Sequence, residues 1–223
     1  MHEYISYFAT MPMWQRLAIV LGCLGASWLL ESAKPLVRFG YRKVAHAAVN
    51  LTFLLTSIVV SLTFGLAAYG LLELHHVALP LWAQLAVSLL VLDLLAQYCS
   101  HAILHRFRFL WKWHMVHHSD TTVDATSGTR HHPGDFLIRE IFALLAILVT
   151  GMPFAFYALY RVLVTPFFTY LTHANVRVPV WLDRPLSWIF ITPNLHKFHH
   201  HVERPWTNTN FGGVLSILSL IHI

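Results

Sequence analysis

The chain alternates long apolar stretches with short polar segments. Residues 13–30, 44–72 and 79–99 are each almost wholly apolar. A helix of about 20 residues spans the hydrocarbon core of a bilayer, so each stretch is long enough for one transmembrane helix, the second with room to tilt. The pattern predicts an all-α integral membrane protein with about three transmembrane helices before its polar centre.

A fourth apolar stretch, residues 136–171, is interrupted near its middle by Gly151-Met152-Pro153. Glycine and proline break helices, so the stretch is predicted to form a hairpin of two helical segments. A hairpin returns the chain to the side it left. Polar residues before and after it can then meet on one side of the membrane, which a single crossing would prevent.

Composition supports this assignment and excludes other classes. Of the 223 residues, 57% are hydrophobic and only 11% are charged, which is far more apolar than a soluble domain of this size. The formal charge of +5 could suggest nucleic acid, but no basic face with interleaved aromatic residues occurs. Lipid headgroups are the expected counterions. No repeat or linker divides the chain, so residues 1–223 are interpreted as one domain.

Histidines at helical spacing are the candidate chemistry. The clusters are His101-x-x-x-His105, His114-x-x-His117-His118 and His196-x-x-His199-His200. A helix places residues i, i+3 and i+4 on one face, and converging imidazoles bind iron, zinc, copper or nickel. One His-x-x-x-His pair is a weak signal, but two copies of His-x-x-His-His indicate a metal site.

Basic residues predict which side of the membrane carries the histidines. Four lie between the first two apolar stretches and three follow the third, whereas residues 73–78 contain no lysine or arginine. The positive-inside rule then predicts a cytoplasmic, histidine-lined cap. The seven residues are Lys34, Arg38, Arg42, Lys43, Arg106, Arg108 and Lys112.

These motifs carry a family resemblance. The segment 93–133, with its first two histidine clusters and Arg130-His131-His132-Pro133, resembles the fatty acid hydroxylase and sterol desaturase superfamily. Downstream, Thr172-His173-Ala174-Asn175, the third cluster and Asn210-Phe211-Gly212 resemble later motifs of that superfamily in order and spacing. The likeness covers about residues 93–213.

The resemblance implies a non-haem centre of two iron ions that uses O2 to hydroxylate or desaturate a lipid. By position, its metal ligands would be His101, His105, His114, His117, His118, His173, His196, His199 and His200, with His132 as a tenth candidate that competes with its neighbour His131. Zinc could occupy the same ligands in isolated protein. Among the remaining histidines, His2, His46, His75, His76 and His222 fall outside every motif and receive no role.

Several charged residues are candidates to support the ligands. Ligating histidines usually donate their second N–H to a carboxylate or carbonyl, a role that Asp120, Asp124 and Asp135 could fill. Asp93 lies inside an apolar stretch, where an ionisable group is costly and usually functional, although a helix-to-helix hydrogen bond explains it nearly as well. Arg130 could pair with an acid near the metals or with a lipid headgroup.

Three functions compete at this stage. The favoured one is an O2-dependent lipid hydroxylase or desaturase, supplied with electrons by a separate cytochrome b5-like, ferredoxin-like or reductase-like partner. The chain lacks flavin, nicotinamide and haem-domain signatures. A zinc hydrolase could use the same ligands, but no His-Glu-x-x-His motif occurs. A haem or metal carrier would leave most of the histidines unexplained.

The substrate stays open, since sterol, fatty acyl, alkylglycerol, sphingoid and carotenoid lipids all suit an apolar groove. Oligomeric state is not readable either. The segment after Gly213 departs from the pattern of the superfamily. We therefore expect that the natural C-terminus extends further or differs, the alternative being a short tail that anchors in the membrane.

Overall fold

The computed structural model describes residues 2–71, 79–203, 206 and 208–219. Helices dominate this part of the chain, and pairing of β type is confined there to two isolated bridges. The α-helices are α1 (His2–Thr10), α2 (Met13–Ala33), α3 (Lys43–Leu71), α4 (Leu81–Leu92), α5 (Ser100–Arg106), α6 (Arg108–His118), α7 (Pro133–Thr150), α8 (Phe154–Leu159), α9 (Thr165–His173), α10 (Val180–Leu186) and α11 (Pro193–His199).

Four helices are long and apolar enough to cross a membrane: Met13–Ala33, Lys43–Gly65, Leu81–Arg106 and Phe154–His173. The first three cover the three predicted stretches. The prediction of an all-α membrane protein is therefore confirmed. The third predicted stretch was too short at its end, because the helix continues through Cys99 and carries both His101 and His105.

The predicted hairpin is also confirmed. α7 ends at Gly151, whose φ of 60° lies in the left-handed region that glycine adopts without strain. The Gly151 N–H donates to the Ile147 carbonyl at 2.8 Å, and Pro153 precedes the first turn of α8. The chain thus returns to the end of the molecule where α7 began, and His173, the last residue of α9, lies there.

Two of the spanning helices contain a π-helical segment. Asp93–Cys99 joins α4 to α5, and Tyr160–Val164 joins α8 to α9. π-Helical segments are rare in proteins, but those that occur often lie at functional sites. The Tyr160 hydroxyl donates to Asp93 Oδ1 at 3.1 Å, so a hydrogen bond ties the two segments together.

The packed core lies between α4, α7 and α8. Its buried members include Leu92, Ala96, Ala143, Ile147 and Phe156. Alanines at the contacts let helix backbones approach closely, which is how membrane helices gain packing energy. This core fixes α7 against the helix that carries His101, and so holds the polar end in place.

A folded loop joins α6 to α7 at the polar end. Asp124 caps the short 3-10 helix Ala125–Thr129: its side chain accepts from the Thr126 N–H, and Ser127 Oγ accepts from the Asp124 N–H. Glu31 of α2 accepts from the Ala125 and Asn175 backbone N–H groups, both at 2.9 Å. The carboxylate therefore joins this loop to the residues that follow His173.

Candidate metal centre

Nine of the ten candidate ligands converge in two groups. His101, His105, His114, His118 and His199 form the five-histidine group, and His117, His173, His196 and His200 form the four-histidine group. In each group, one ring nitrogen per residue lies within 4.8 Å of all the others. The groups abut, since the rings of His118 and His200 stack at 4.6 Å.

Helix geometry explains why neighbouring histidines enter different groups. In α6, His114 and His118 are four residues apart and share a face, so both reach the five-histidine group. His117 is offset by one position and faces the other group. The histidines of α11 and its C-cap divide in the same way, with His196 and the C-cap residue His200 in the four-histidine group and His199 in the other.

The contacts of the ring nitrogens show what the groups can bind. Nδ1 of His101 donates to the Phe211 carbonyl at 2.9 Å, and Nδ1 of His173 donates to the Thr169 carbonyl at 2.6 Å. Carbonyl oxygens only accept, so the proton resides on Nδ1, and a neutral ring then has a lone pair on Nε2. The Nε2 atom of His101 faces His114 in the five-histidine group, and the Nε2 atom of His173 faces His117 and His196 in the four-histidine group.

The Nε2 atoms lie at the spacing of ligands around one ion. His101 Nε2 is 2.9 Å from His114 Nε2, and His173 Nε2 is 3.1 Å from His117 Nε2. Metal–nitrogen bonds of about 2.0–2.1 Å place adjacent ligands about 3 Å apart. In the His101–His114 pair both Nδ1 atoms donate to oxygens, so the two Nε2 lone pairs repel unless a cation lies between them. The donor set therefore fits one metal ion in each group.

Burial keeps these imidazoles in the ligating form. The pKa values of His117, His118, His196, His199 and His200 lie well below the usual histidine value, because burial disfavours the charged ring and neighbouring histidines add repulsion. Nε2 of His105 and Nε2 of His200 are buried and have no hydrogen-bond partner among the described residues. A bound metal would satisfy both atoms.

Comparison with known proteins agrees with this geometry. The profile of the fatty acid hydroxylase family matches residues 85–222, which is more than half of the chain. The chain belongs to the fatty acid hydroxylase family. Both histidine groups lie wholly inside the matched segment, as does the hairpin of α7 and α8 that brings them together.

A curated relative is also similar to this chain. Over 138 residues the chain is 31% identical to the ornithine lipid hydroxylase OlsE of Rhizobium tropici. The match covers 62% of this chain and 40% of that protein, so the chain spans about two fifths of the length of the relative. No solved structure matches.

The tenth candidate, His132, lies outside both groups. Its Nδ1 accepts from the Gly134 N–H at 3.0 Å, so it caps α7, and its ring stacks on Trp113. His131 faces the centre instead. Its ring stacks on His117 at 4.4 Å, and its Nδ1 lies 3.2 Å from Asp135.

Asp135 supports the five-histidine group directly. Its carboxylate accepts from His114 Nδ1 at 2.6 Å and from Arg139 Nε at 2.8 Å. Burial alone would raise the pKa of Asp135, but the Arg139 guanidinium and the His114 and His131 rings hold it well below its usual range. The carboxylate is therefore ionised and fixes the orientation of His114.

The other two loop acids act elsewhere. The Asp120 carboxylate lies 2.9 Å from His46 Nε2, and Asp124 lies 3.1 Å from His46 Nδ1. Tyr41 also donates to Asp124, at 2.5 Å. These acids bind α3 to the loop rather than orienting a histidine of either group. The sequence assigned no role to His46, which belongs to no motif, but the structure places it between these two acids.

Arg130 pairs with no acid among the described residues. Within the described structure its guanidinium contacts neutral oxygens: the Val116 carbonyl at 3.1 Å, Asn50 Oδ1 at 3.2 Å and Ser119 Oγ at 3.1 Å. It therefore anchors the C-terminal end of α6 to α3. Of the other unassigned histidines, His75, His76 and His222 lie outside the described residues.

A C-terminal segment supplies oxygens to the five-histidine group. We call residues 208–215 the strap. Asn208 Oδ1 accepts from His105 Nδ1 at 2.9 Å, the Thr209 carbonyl from His199 Nδ1 at 2.6 Å, and the Phe211 carbonyl from His101. Asn208 and Asn210 adopt left-handed backbone angles, which asparagine tolerates well.

Asp93 holds the strap. Its carboxylate accepts from the Val214 N–H at 3.0 Å and from the Leu215 N–H at 2.8 Å. Close packing adds to this, because a Cβ on Gly213 would lie 2.7 Å from Gln97 Cγ. The candidate role of Asp93 near the metals is thus indirect: it touches no histidine of either group, but it fixes the segment that orients three of them.

A cavity of about 660 Å³ adjoins the centre. Its walls include His131, whose ring stacks on His117, and Thr169, whose carbonyl accepts from His173. From there the cavity extends between the spanning helices to Met11 and Leu62. Its volume lies within the range of about 300–1,000 Å³ that is usual for small-molecule sites.

Proposed function

We propose that the chain is a membrane-bound, O2-dependent lipid hydroxylase in which the two histidine groups hold two iron ions. The observation that carries this proposal is the position of the two groups beside a cavity among membrane-spanning helices, whose wall includes His131, stacked on His117. The fatty acid hydroxylase family supports hydroxylation of a lipid. Desaturation begins with the same attack on a carbon–hydrogen bond, and hydroxylation is the outcome that the family favours.

Iron is proposed because the reaction needs a redox metal. Imidazole ligands suit iron, copper, nickel and zinc alike, and zinc has no redox chemistry. When bound, the two ions would supply the activation of O2. The chain supplies the rest: neutral ligands that add no negative charge, a carboxylate and carbonyls that orient them, and a cavity that holds the lipid beside them.

We also propose that the centre faces the cytoplasm and takes electrons from a separate donor protein. The Leu36 N–H donates to the Asn175 carbonyl at 3.0 Å, so the basic segment between α2 and α3 lies close to the end of α9, at His173. Arg106 directly follows His105. Basic residues thus flank the metal end, which favours the cytoplasmic side. A cytochrome b5-like, ferredoxin-like or reductase-like donor would complete the reaction.

Ornithine lipid is the first substrate to test. The relative from Rhizobium tropici is an ornithine lipid hydroxylase, and it is 31% identical to this chain over 138 residues. Because the match covers only 40% of that protein, a common substrate is a proposal that needs its own assay.

The test is incorporation of labelled oxygen. Iron-loaded protein in lipid vesicles is supplied with ornithine lipid, a chemical or protein reductant, and O2 enriched in oxygen-18, and the lipid is analysed by mass spectrometry. We expect one oxygen-18 atom per product molecule. The His117→Ala, His199→Ala double variant should give no product, whereas His201→Ala, at an exposed histidine outside both groups, should retain activity.

Other outcomes would overturn the proposal. Cleavage of a lipid ester without O2, by protein that holds zinc but binds no iron, would indicate a hydrolase. A Soret band with one haem per chain would indicate a haem protein. Fatty acyl and sterol lipids are tested in parallel, so that an incorrect substrate is not mistaken for an incorrect reaction.

A further inference from the structure

One wall of the cavity is polar. Tyr157, Arg161, Thr165 and Thr169 all line it, and they follow one another at intervals of four residues along the helix Phe154–His173. The next step of four reaches His173, a member of the four-histidine group. A polar stripe within a membrane-spanning helix therefore leads along the cavity to the metal centre.

The walls formed by α2 and α3 are largely apolar, although Arg16, Ser57 and Ser61 also line them. Leu17 and Val20 of α2 line the cavity, together with Leu54, Ile58 and Leu62 of α3. A cavity for a plain alkyl chain needs no polar wall, and polar side chains inside a membrane are costly and usually functional. The division between the walls suits a ligand that has both an alkyl part and a polar part.

Thr165 gives the strongest sign of such a ligand. Its hydroxyl oxygen is buried and has no hydrogen-bond partner among the described residues. Buried polar atoms are almost always paired, because an unpaired one costs about 1–3 kcal/mol. Thr165 lines the cavity, and threonine in a helix adopts two χ1 rotamers, so rotation about Cα–Cβ would let the hydroxyl donate to an oxygen of a ligand there and remove this cost.

Arg161 supplies a charge beside Thr165. Its Nη2 donates to Glu140 Oε1, and its guanidinium lies 4.8 Å from the centre of the Phe136 ring. Glu140 also accepts from Tyr157 at 2.7 Å and from Ser61 at 3.1 Å, so the carboxylate is well satisfied. The Glu140 contact uses one of the three guanidinium nitrogens, and the side chain still lines the cavity.

We propose that Thr165 and Arg161 form a polar subsite that binds an acceptor oxygen of the lipid, either a carboxylate or an ester or amide carbonyl. The alkyl part of the same lipid lies against α2 and α3. The subsite makes the enzyme selective for lipids with such an oxygen over plain hydrocarbons. This inference rests on the proposed function only in taking the lipid of the cavity to be the substrate.

The test is photolabelling followed by competition. The probe is a hexadecanoate that carries a diazirine at mid-chain, added to metal-loaded protein in phosphatidylcholine nanodiscs, and the adducts are located by mass spectrometry. Unlabelled hexadecanoate, hexadecanamide and hexadecane then compete at equal mole fractions. We expect adducts on the cavity walls of α2 and α3, and stronger competition by the first two compounds than by hexadecane.

Thr165→Val is the decisive variant, because it removes the hydroxyl and keeps the shape. We expect competition by hexadecanoate and by hexadecanamide to weaken about three- to tenfold, the range of one hydrogen bond, with hexadecane unchanged. Stability should not fall, since the hydroxyl has no partner within the described structure. Thr56→Val is the matched control: its exposed hydroxyl donates to the Phe53 carbonyl on α3, outside the cavity.

The charge of Arg161 is tested without leaving Glu140 unpaired. The Glu140→Gln, Arg161→Gln double variant should abolish any preference for hexadecanoate over hexadecanamide, because only the former is an anion. Adducts outside the cavity, or a Thr165→Val protein that ranks the three competitors as the wild type does, would overturn the subsite. Neither readout needs turnover, so failure of the subsite and failure of the hydroxylase proposal are distinguishable.

Discussion

At the scale of single residues, Asp135 gives the clearest test of ligand orientation. Asp135→Asn keeps the size of the side chain but removes the charge that holds His114 Nδ1–H at 2.6 Å. Loss of such a partner typically weakens metal binding about 10- to 100-fold. We expect a decrease of that size in competition titrations with a metal chelator.

Asp183→Asn is the control for this change, since it removes the same charge from α10, which contributes no histidine to either group. Circular dichroism of both variants checks that the helices persist. Unchanged metal affinity in folded Asp135→Asn protein would show that the carboxylate does not orient the ligand.

His132 tests the division between neighbouring histidines. His132→Ala removes the acceptor for the Gly134 N–H, so the start of α7 should lose about 0.5–2 kcal/mol of stability, as is usual for a helix cap. Its metal content should equal that of the wild type. Thermal unfolding and elemental analysis of one preparation measure both quantities, with His105→Ala as the variant that should lose metal. A lower metal content in His132→Ala would mean that His132 is a ligand.

At the scale of elements, the strap contacts only one of the two groups. It orients His101, His105 and His199, whereas the second N–H of His173 goes to Thr169 on its own helix. In Asp93→Asn, the side chain can accept from one of the two strap N–H groups but not well from both. We expect this variant to lose one metal ion per chain and to keep the other.

Double variants identify which ion is lost. Adding His105→Ala to Asp93→Asn should change the metal content little, because both act on the five-histidine group. Adding His196→Ala should remove the remaining ion. If Asp93→Asn retained both ions, or if it lost both at once, the selective role of the strap would be wrong.

The elements and the histidine clusters were predictable from local pattern. Apolar length gave the spanning helices, Gly151 and Pro153 gave the hairpin, and spacing along a helix gave the clusters. The sequence could not show whether His131 or His132 faces the metal centre. The two histidines are adjacent, and which side chain points inward depends on the local backbone direction. The strap carbonyls and His46 were also beyond reach, since backbone oxygens leave no sequence signal and a lone histidine shows its partners only after folding.

At the scale of the whole molecule, the fold places polar groups at one end and a cavity beneath them. The helices α5, α6, α9 and α11 each contribute at least one histidine, and the Asp135 carboxylate and several backbone carbonyls hold some of those rings. No segment contains a complete metal site. Folding in the membrane therefore creates the centre, and metal binding should in turn stabilise the arrangement of these four helices.

The number of iron ions in each half of the centre tests the two-metal arrangement most directly. Detergent-purified protein is loaded with iron without oxygen and compared by elemental analysis with three variants: His101→Ala/His199→Ala, His117→Ala/His196→Ala and the control His201→Ala. We expect two ions in the wild type and the control, and one in each group variant. A single ion in the wild type, or two ions in either group variant, would contradict this arrangement.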